Sequence, residues 1–517
     1  IRAPSTIHAF QVASPAVIVR GALATLAVAA GPLLVVAGTP SYDPWAWLLW
    51  GREVLALELS TAEGPSFKPL PVAICALLAP LGTAAPTLWV LLARWGAIVA
   101  VVLAYTLGRD LGGGSRLAGA AAAVGVGLSA GYATYASQGS SEGPLLALIL
   151  GAILLARAGR HRPALACVVA AALLRVEVWP LAAAYGLWLW WRAGGGERAA
   201  LAALAVLVPA LWLVPELLAS GDVLRSGSRA LQPNPGQPAL AEFPAWASLR
   251  AAADVALWPT WIGLAAVAVV LGARAGRPAG RVASAAASVA DTGHRVRARP
   301  RYRQAAALAA AGAAWVLLVA AMAEAGFSGE PRYSSTGVAL IAIAAAAPLG
   351  DLAARIRLPA APVSRALPIA AALVACLVVA LAAAPRVAEL ERVREGQRHQ
   401  AHLAADLRAL VDAAGGRDAL LACGRPYVGH YRGPLLAYGL DVEKRRVGFE
   451  PRPPGVVFAS RRYPGAPVEP LTAGGFRPVL RNRSWTLLLG QPNRLPAPCS
   501  AADLARSPSP PAPEASS

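Results

Sequence analysis

Long apolar runs recur along most of the chain and are separated by short polar segments. Runs such as 16–38, 199–218, 305–324 and 367–384 are each about 20 residues long, the length that a helix needs to cross the hydrocarbon layer of a membrane. The pattern predicts an all-α polytopic membrane protein with about eleven transmembrane helices. The predicted spans are 15–38, 86–108, 117–135, 142–158, 163–175, 178–192, 199–219, 251–273, 304–325, 334–353 and 364–384.

Two connections between the predicted spans are long, 39–85 and 220–250. Within the first, positions 44–59 mix apolar and charged residues, which predicts an amphipathic helix lying on the membrane surface. The second is rich in Gly, Pro, Ser and Arg and is predicted to be irregular. Long ordered connections usually carry function, so both are candidate parts of a site.

The composition changes after residue 384, where the transmembrane domain (1–384) is predicted to end. We expect an exposed charged helix at 388–414, followed by short strands. Together they predict a small extracytoplasmic α/β domain over 385–490, and the Pro-, Ser- and Ala-rich segment 491–517 is expected to be a disordered tail. The predicted strands are 419–422, 456–459 and 484–489.

Composition and charge agree with a membrane protein. Of the 517 residues, 56% are hydrophobic and 15% are charged, against roughly 25% charged in an average soluble protein. The net charge of +19 resides mostly in arginines of alternate loops, including eight between Arg274 and Arg303. Because arginine concentrates on the cytoplasmic side, we expect a multi-pass plasma-membrane protein with a cytoplasmic N-terminus and no nucleic-acid partner.

Several common kinds of site lack their sequence motif in this chain. There is no Gly-x-x-x-x-Gly-Lys-Ser/Thr loop, no Cys-x-x-Cys and no His-Glu-x-x-His, so neither ATP hydrolysis by a phosphate loop nor a zinc enzyme is predicted. No cofactor or metal site is firmly predicted, and a divalent metal has no support in the sequence. Cys423 and Cys499 lie in the polar C-terminal region, where a disulfide between them is an open alternative outside the cytoplasm.

Ionisable residues gather near the predicted outer boundary of the spans. Charged groups at membrane depth are costly, so they usually pair with one another or mark a substrate path. A carboxylate can take a proton from an attacking hydroxyl, and cations can hold a phosphate leaving group. This set favours transfer of a sugar from a lipid phosphate. Its members include Asp43, Glu53, Lys68, Arg94, Glu142, Arg175, Glu177, Glu216, Asp222, Glu324, Arg332 and Tyr333.

The order of these residues resembles that of the GT-C superfamily of integral-membrane glycosyltransferases, nearest to the protein O-mannosyltransferase and aminoarabinose-transferase type. The resemblance rests on short motifs within about residues 15–384. They are Ser41-Tyr42-Asp43-Pro44-Trp45, Ser66-Phe67-Lys68-Pro69-Leu70-Pro71, Arg94, Leu173-Leu174-Arg175-Val176-Glu177 and Gly329-Glu330-Pro331-Arg332-Tyr333.

The resemblance implies a role for individual residues. It implies a polyprenyl-phosphate sugar donor, an inverting mechanism and an extracytoplasmic acceptor, which is a glycan, a lipid or a protein. Asp43 would be the catalytic base and Glu142 a second outer-facing carboxylate; Lys68 would contact the donor phosphate, and Arg332 and Tyr333 would face the same cavity. Many relatives have Asp-Glu where this chain has Asp43-Pro44, so Glu53 and Glu142 are the alternative partners of Asp43.

Simpler structural roles compete with these assignments. Asp43 before Pro44 is a common helix-cap signal, and Lys68 suits a side chain that reaches the membrane interface. Arg94 is expected either to bind phosphate or to pair with Glu142 or Glu177, while Arg175 and Glu177 are expected either to bind substrate or to pair with each other.

Two other functions remain alternatives at this point. One is a lipid-glycan transporter or flippase, although the chain has no pair of matching halves of the kind common in transporters. The other is a non-catalytic scaffold for envelope assembly.

Overall fold

The computed structural model describes residues 15–30, 38–275, 289–357, 362–472 and 475–490. The predicted tail lies outside the described residues, as does Cys499, whereas Cys423 is disulfide-bonded. The described helices are α1 (Pro15–Ala30), α2 (Tyr42–Leu55), α3 (Pro69–Leu78), α4 (Ala85–Leu111), α5 (Arg116–Gly127), α6 (Tyr132–Ser137), α7 (Glu142–Arg157), α8 (His161–Ala172), α9 (Trp179–Trp190), α10 (Gly195–Ser220), α11 (Arg225–Ala230), α12 (Pro244–Val255), α13 (Pro259–Ala275), α14 (Val289–Glu324), α15 (Pro331–Ala345), α16 (Pro348–Arg357), α17 (Pro362–Ala413), α18 (Gly416–Ala422) and α19 (Gly433–Leu440).

The fold is a mostly helical membrane protein with a small C-terminal sheet. Within the described ranges, five helical segments are long and apolar enough to cross a membrane, and a bent pair of helices would make six. The count of eleven spans therefore stays a prediction. The five segments are Pro69–Leu111, Gly195–Ser220, Arg301–Glu324, Pro331–Ala354 and Ile369–Ala413.

Two predicted spans are interrupted in the structure. The span predicted at 251–273 is two helices, α12 and α13, bent by 97° at a short break where Pro259 begins the second helix. The span predicted at 117–135 stops at Gly127 and restarts at Tyr132 after Gly131, whose φ is +76°. Proline and left-handed glycine both end regular helices.

The last predicted span and the following charged helix form one continuous helix, α17, from Pro362 to Ala413. Its apolar first half can cross the membrane, and its second half carries leucines that pack on the C-terminal sheet. The predicted boundary after residue 384 thus falls inside a helix. Helix α17 therefore runs without a break from the membrane region to the C-terminal region, where α18 and short connections lead to β1.

The C-terminal sheet has the strand order β1-β2-β5-β4, and β3 pairs with the C-terminal end of β2. β1 and β2 are parallel, with α19 between them along the chain, while β5 is antiparallel to both β2 and β4. The strand predicted at 419–422 is wrong, because these residues are helical in α18. The strands are β1 (Arg425–Val428), β2 (Gly455–Arg461), β3 (Val468–Glu469), β4 (Phe476–Arg481) and β5 (Trp485–Gly490).

Helix α2 is largely buried within the protein. It packs against α3 and α19, and Trp47 and Trp50 are among the largest fully buried side chains of the described structure. Arg52 donates to the Tyr438 carbonyl oxygen at 2.8 Å and pairs with Asp441 at 3.1 Å. The apolar face of α2 is thus covered by protein, in part by the C-terminal region, and its position at the membrane surface stays a prediction. That contact fixes the helix that carries Asp43.

Candidate active site

A cavity of about 650 Å³ lies between the membrane helices and the C-terminal region. Its walls come from the start of α2, the loop before α3, the segment between α8 and α9, the end of α10, α11, the start of α15 and the turn that follows β1. Asp43, Lys68, Arg175, Arg332 and Tyr333 all line it. Residues almost 300 positions apart in sequence therefore share one space.

Asp43 lies in the first turn of α2, one residue before Pro44. The helix cap is Ser41 rather than Asp43, so the expected capping role of Asp43 was wrong. The Asp43 carboxylate lies 3.6 Å from Nη1 of Arg332. A second carboxylate, that of Glu330, lies 2.5 Å from Nε of Arg332. Asp43 is thus an oriented carboxylate that faces the cavity.

Arg332 and Tyr333 begin helix α15, immediately after Pro331 at its first position. Arg332 donates to the Tyr333 hydroxyl at 3.2 Å. The helix is fixed against α14 by close backbone contact: a Cβ at Gly312 would lie 2.4 Å from the carbonyl oxygen of Gly337. Close helix packing of this kind requires glycine, and it sets the position of Arg332 at the cavity.

Lys68 caps helix α3 in an extended conformation, just before Pro69. Its ammonium group lies 5.0 Å from the centre of the Trp47 ring. Among the described residues, no carboxylate lies within ion-pair distance of Lys68. Burial, together with the positive charges of Arg175 and Arg332, lowers the pKa of Lys68 to about 8. A desolvated cation without a carboxylate partner is suited to bind an anion.

Arg175 is enclosed by two carboxylates. It lies 2.5 Å from Glu177 and 3.3 Å from Glu142, and all three side chains are at most 6% exposed. Burial acts to lower the pKa of Arg175, but Glu177 and Glu142 raise it above its usual value. The guanidinium also lies 4.2 Å from the centre of the Tyr333 ring. The predicted pairing of Arg175 with Glu177 is confirmed.

Three candidates from the sequence, Arg94, Glu53 and Glu142, lie outside the cavity lining. Arg94 is buried in the middle of α4, close to Gly38, and the ion pairs of Glu142 and Glu177 run to Arg175 instead. Glu53 accepts a hydrogen bond from the Ser60 amide at 3.1 Å, and burial raises the pKa of its carboxyl to about 7. Glu142 is also outside the lining, but it pairs with Arg175, which lines the cavity.

One buried carboxylate near Lys68 received no individual role from the sequence. Glu216 of α10 is 1% exposed and lines the cavity. It accepts hydrogen bonds from Ser226 Oγ at 2.5 Å and from Thr61 Oγ1 at 3.1 Å. Ser226 Oγ in turn accepts from the Phe67 amide at 2.7 Å. This chain of hydrogen bonds ends at Phe67, one residue before Lys68. An ionisable residue inside an apolar run was the available sequence signal.

Arg225 provides a second tie to the same loop. Its guanidinium donates to the carbonyl oxygen of Pro65 at 2.6 Å and to that of Gly64 at 2.9 Å. The loop that carries Lys68 is thus held by α10 and α11 rather than by its own secondary structure. Preorganisation of this kind lowers the cost of fixing a binding group.

The arrangement can accept a proton at Asp43 while it holds an anion at Lys68 and Arg332. Within the described ranges, no group of three His, Cys, Asp or Glu side chains is arranged to hold a metal ion. Asp43, Lys68 and Arg332 can supply proton transfer and electrostatic stabilisation.

Comparison with solved structures finds weak structural similarity. The crystal structure of ArnT from Cupriavidus metallidurans bound to undecaprenyl phosphate is 14% identical in sequence, with a TM-score of 0.47, over 92% of this chain and 98% of that chain. Similarity at this level does not define a function, so the case for one rests on the cavity itself. No family model and no curated protein matches the chain.

Proposed function

We propose that the protein is a membrane glycosyltransferase that moves a sugar from a polyprenyl-phosphate donor to an acceptor. One observation carries the proposal: a carboxylate, Asp43, shares a cavity between apolar helices with the cations Lys68 and Arg332. The lipid chain of such a donor requires apolar helices, its phosphate requires cations, and the incoming hydroxyl requires a base. The GT-C-like motifs of the sequence point to the same chemistry.

In the proposed reaction, an acceptor hydroxyl attacks the anomeric carbon and the Asp43 carboxylate takes its proton. A new bond forms between the anomeric carbon and the acceptor oxygen. The bond from the anomeric carbon to the phosphate oxygen breaks, and its electron pair leaves with polyprenyl phosphate. Attack opposite the leaving group inverts the anomeric carbon. Because a phosphate ester leaves readily, one carboxylate base suffices, in contrast to glycoside hydrolysis.

Lys68 and Arg332 stabilise the negative charge that develops on the leaving phosphate. Arg332 also lies 3.6 Å from Asp43, so one cation contacts both the base and the phosphate region. Arg175 has its charge already matched by Glu142 and Glu177, and we assign to it the support of Tyr333 rather than direct phosphate binding. Glu142 remains the second carboxylate of the site in this proposal.

We place the cavity on the extracytoplasmic side of the plasma membrane, with the N-terminus in the cytoplasm. The arginine distribution in alternate loops supports this orientation. In this arrangement the region 385–490 faces the acceptor, which is a cell-envelope glycan, lipid or protein. The membrane region 1–384 then receives the donor from the bilayer.

The proposal is tested with the full chain in nanodiscs and a panel of radiolabelled polyprenyl-phospho-sugars plus a cell-envelope extract. Transfer of label from lipid to acceptor, with release of one polyprenyl phosphate per sugar, is the expected result. Lys68→Gln should lose transfer, whereas Arg477→Gln, which removes a cation from exposed strand β4 outside the cavity lining, should keep it.

A transporter would behave differently in the same experiment. Reconstituted in proteoliposomes, it would move the intact labelled lipid between leaflets without breaking the sugar-phosphate bond. That result, with no donor in the panel cleaved, would contradict the proposed function.

A further inference from the structure

The wall of the cavity formed by the C-terminal region is basic. His430 and Tyr431, in the turn after β1, line the cavity together with Arg462 and with Arg229 of α11. The guanidinium of Arg462 lies 3.5 Å from the centre of the Tyr431 ring, which holds it at the cavity edge. These groups lie in a part of the chain to which the proposed donor site assigns no role.

Arg432, the next residue along the chain, is a buried arginine without an ion-pair or hydrogen-bond partner among the described residues. It is 3% exposed, and none of its three guanidinium nitrogens has a hydrogen-bond partner among the described residues. Its guanidinium lies 5.9 Å from the centre of the Trp485 ring. Glu469 is an acidic neighbour of Arg432. Both side chains lie beside Gly429: a Cβ built on that glycine would be 3.2 Å from a Glu469 carboxylate oxygen and 3.4 Å from Arg432 Nη1. The two side chains nevertheless form no ion pair within 4.0 Å in the described structure.

Lys444, another buried cation of the same region, does have a counter-charge. Lys444 is paired with Glu63 at 3.2 Å. By contrast, no carboxylate in the described residues pairs with Arg229, Arg432 or Arg462. A buried charge without a counter-charge is strongly unfavourable, and Arg432 is such a charge. Arg229 is partly exposed and Arg462 is exposed at the cavity wall, so the three cations together favour a negatively charged ligand.

The potential at this turn agrees with that view. Burial and then the positive charges of Arg229 and Lys444 lower the pKa of His430, and Glu469 opposes them only in part. Burial lowers the pKa of Arg432 to about 10, against the attraction of Glu469. Positive charge therefore exceeds negative charge around the turn, even when Glu469 is counted.

We propose that the turn His430–Arg432, with Arg229 and Arg462, is an acceptor subsite that recognises an anionic group, a phosphate monoester or a carboxylate. The inference rests on the proposed function, because the acceptor must approach the donor in this same cavity. Arg229 and Arg462 contact the anion at the cavity wall. Arg432 is the buried cation behind the turn whose charge the anion compensates.

The test measures binding of small anionic probes to the full chain in phosphatidylcholine nanodiscs by titration calorimetry. Polyprenyl phosphate is present at saturation, so that Lys68 and Arg332 are occupied. The probes are α-D-glucose 1-phosphate, methyl α-D-glucuronide, neutral methyl α-D-glucoside and inorganic phosphate. We expect the two charged sugars to bind, with affinity that falls as salt rises, and the neutral glucoside not to bind.

Variants locate the binding. Arg462→Gln and Arg229→Gln should each weaken binding of the charged sugars roughly tenfold, the loss expected for one hydrogen bond to a charged group. Arg477→Gln makes the same charge change on the exposed strand β4 and should bind as the wild type does. Because Arg432→Gln risks misfolding, Arg432→Lys is compared with it and should retain part of the affinity.

Three results would overturn the inference. They are equal binding of the neutral glucoside, unchanged binding in Arg229→Gln and Arg462→Gln, and loss of all anion binding when polyprenyl phosphate is present. Stronger binding of inorganic phosphate than of either charged sugar would identify a free-anion site and would also contradict an acceptor subsite. Because no probe in this experiment is turned over, anion binding without any sugar transfer would count against the proposed function and leave the anion site standing.

Discussion

Lys68 and Arg175 line the same cavity, yet their surroundings differ. Arg175 is buried between Glu142 and Glu177, whereas Lys68 has no carboxylate within ion-pair distance in the described residues. The charge of Arg175 is compensated by carboxylates of the protein, whereas the charge of Lys68 is available to an anionic ligand. Near a membrane cavity, the presence or absence of a protein counter-charge separates a structural cation from a ligand-binding one.

The largest effect on stability should come from removing Arg175, whose charge is paired with protein carboxylates. Replacing Arg175 by Met leaves Glu142 and Glu177 buried together without a cation, which costs about 3–5 kcal/mol in comparable buried pairs. We therefore expect a large fall in the thermal unfolding midpoint, measured by scanning fluorimetry in detergent. Lys68→Met should leave that midpoint near the wild-type value, since it removes a charge that no protein group matches.

The same two variants also separate stability from binding. Polyprenyl phosphate should stabilise the wild type against heat and should fail to stabilise Lys68→Met. An equal loss of thermal stability in both variants would contradict the distinction between the two cations.

A smaller effect is expected from the chain of hydrogen bonds that holds the loop of Lys68. Glu216→Gln weakens the hydrogen bonds to Ser226 and Thr61 and loosens the position of Phe67, next to Lys68. We expect KM for the donor to rise about tenfold, the size of one charge-assisted hydrogen bond, with a smaller change in kcat. Asp222→Asn, at an exposed carboxylate close by in the chain, is the matched control.

If Glu216 were instead the catalytic base, kcat would fall by orders of magnitude in Glu216→Gln while KM stayed constant. That outcome would move the base from Asp43 to α10.

The smallest effect is a dependence of donor binding on pH. The pKa of Lys68 is lowered to about 8, so its ammonium is charged below that pH and loses its charge above it. Because the phosphate binds the charged form, affinity should be near its full value below about pH 7, about half of it near pH 8 and about a tenth of it near pH 9. Lys68→Arg should remove this decline, since arginine stays charged, and flat binding in the wild type would contradict it.

The sequence predicted several residues that line the cavity, but it could not predict which charged residues of the spans face it. Asp43, Lys68, Arg332 and Tyr333 stand in short motifs, and all four line the cavity. Arg94 carried an equally costly charge inside a span but lies away from the cavity lining. A sequence gives the depth of a charged residue along a span, while the face to which it points depends on how the helices pack.

The contribution of the C-terminal region was the part least accessible from sequence. The mixture of apolar and charged residues predicted an amphipathic helix at 44–59. Such a pattern does not show whether the apolar face is covered by lipid or by another helix, here α19. Likewise, His430 and Arg462 lie in ordinary polar turns, and only the contact between the sheet and the membrane helices brings them to the cavity. Long-range contacts of this kind leave no local pattern.

The central claim is that Asp43 is the base of a transfer reaction whose phosphate is held separately. Its most direct test is Asp43→Asn, with donor binding and release of polyprenyl phosphate measured on the same preparation. The account predicts that release falls by about 10²–10⁴-fold, the usual contribution of a positioned base, while donor affinity changes little. Release at the wild-type rate with intact binding would contradict the assignment.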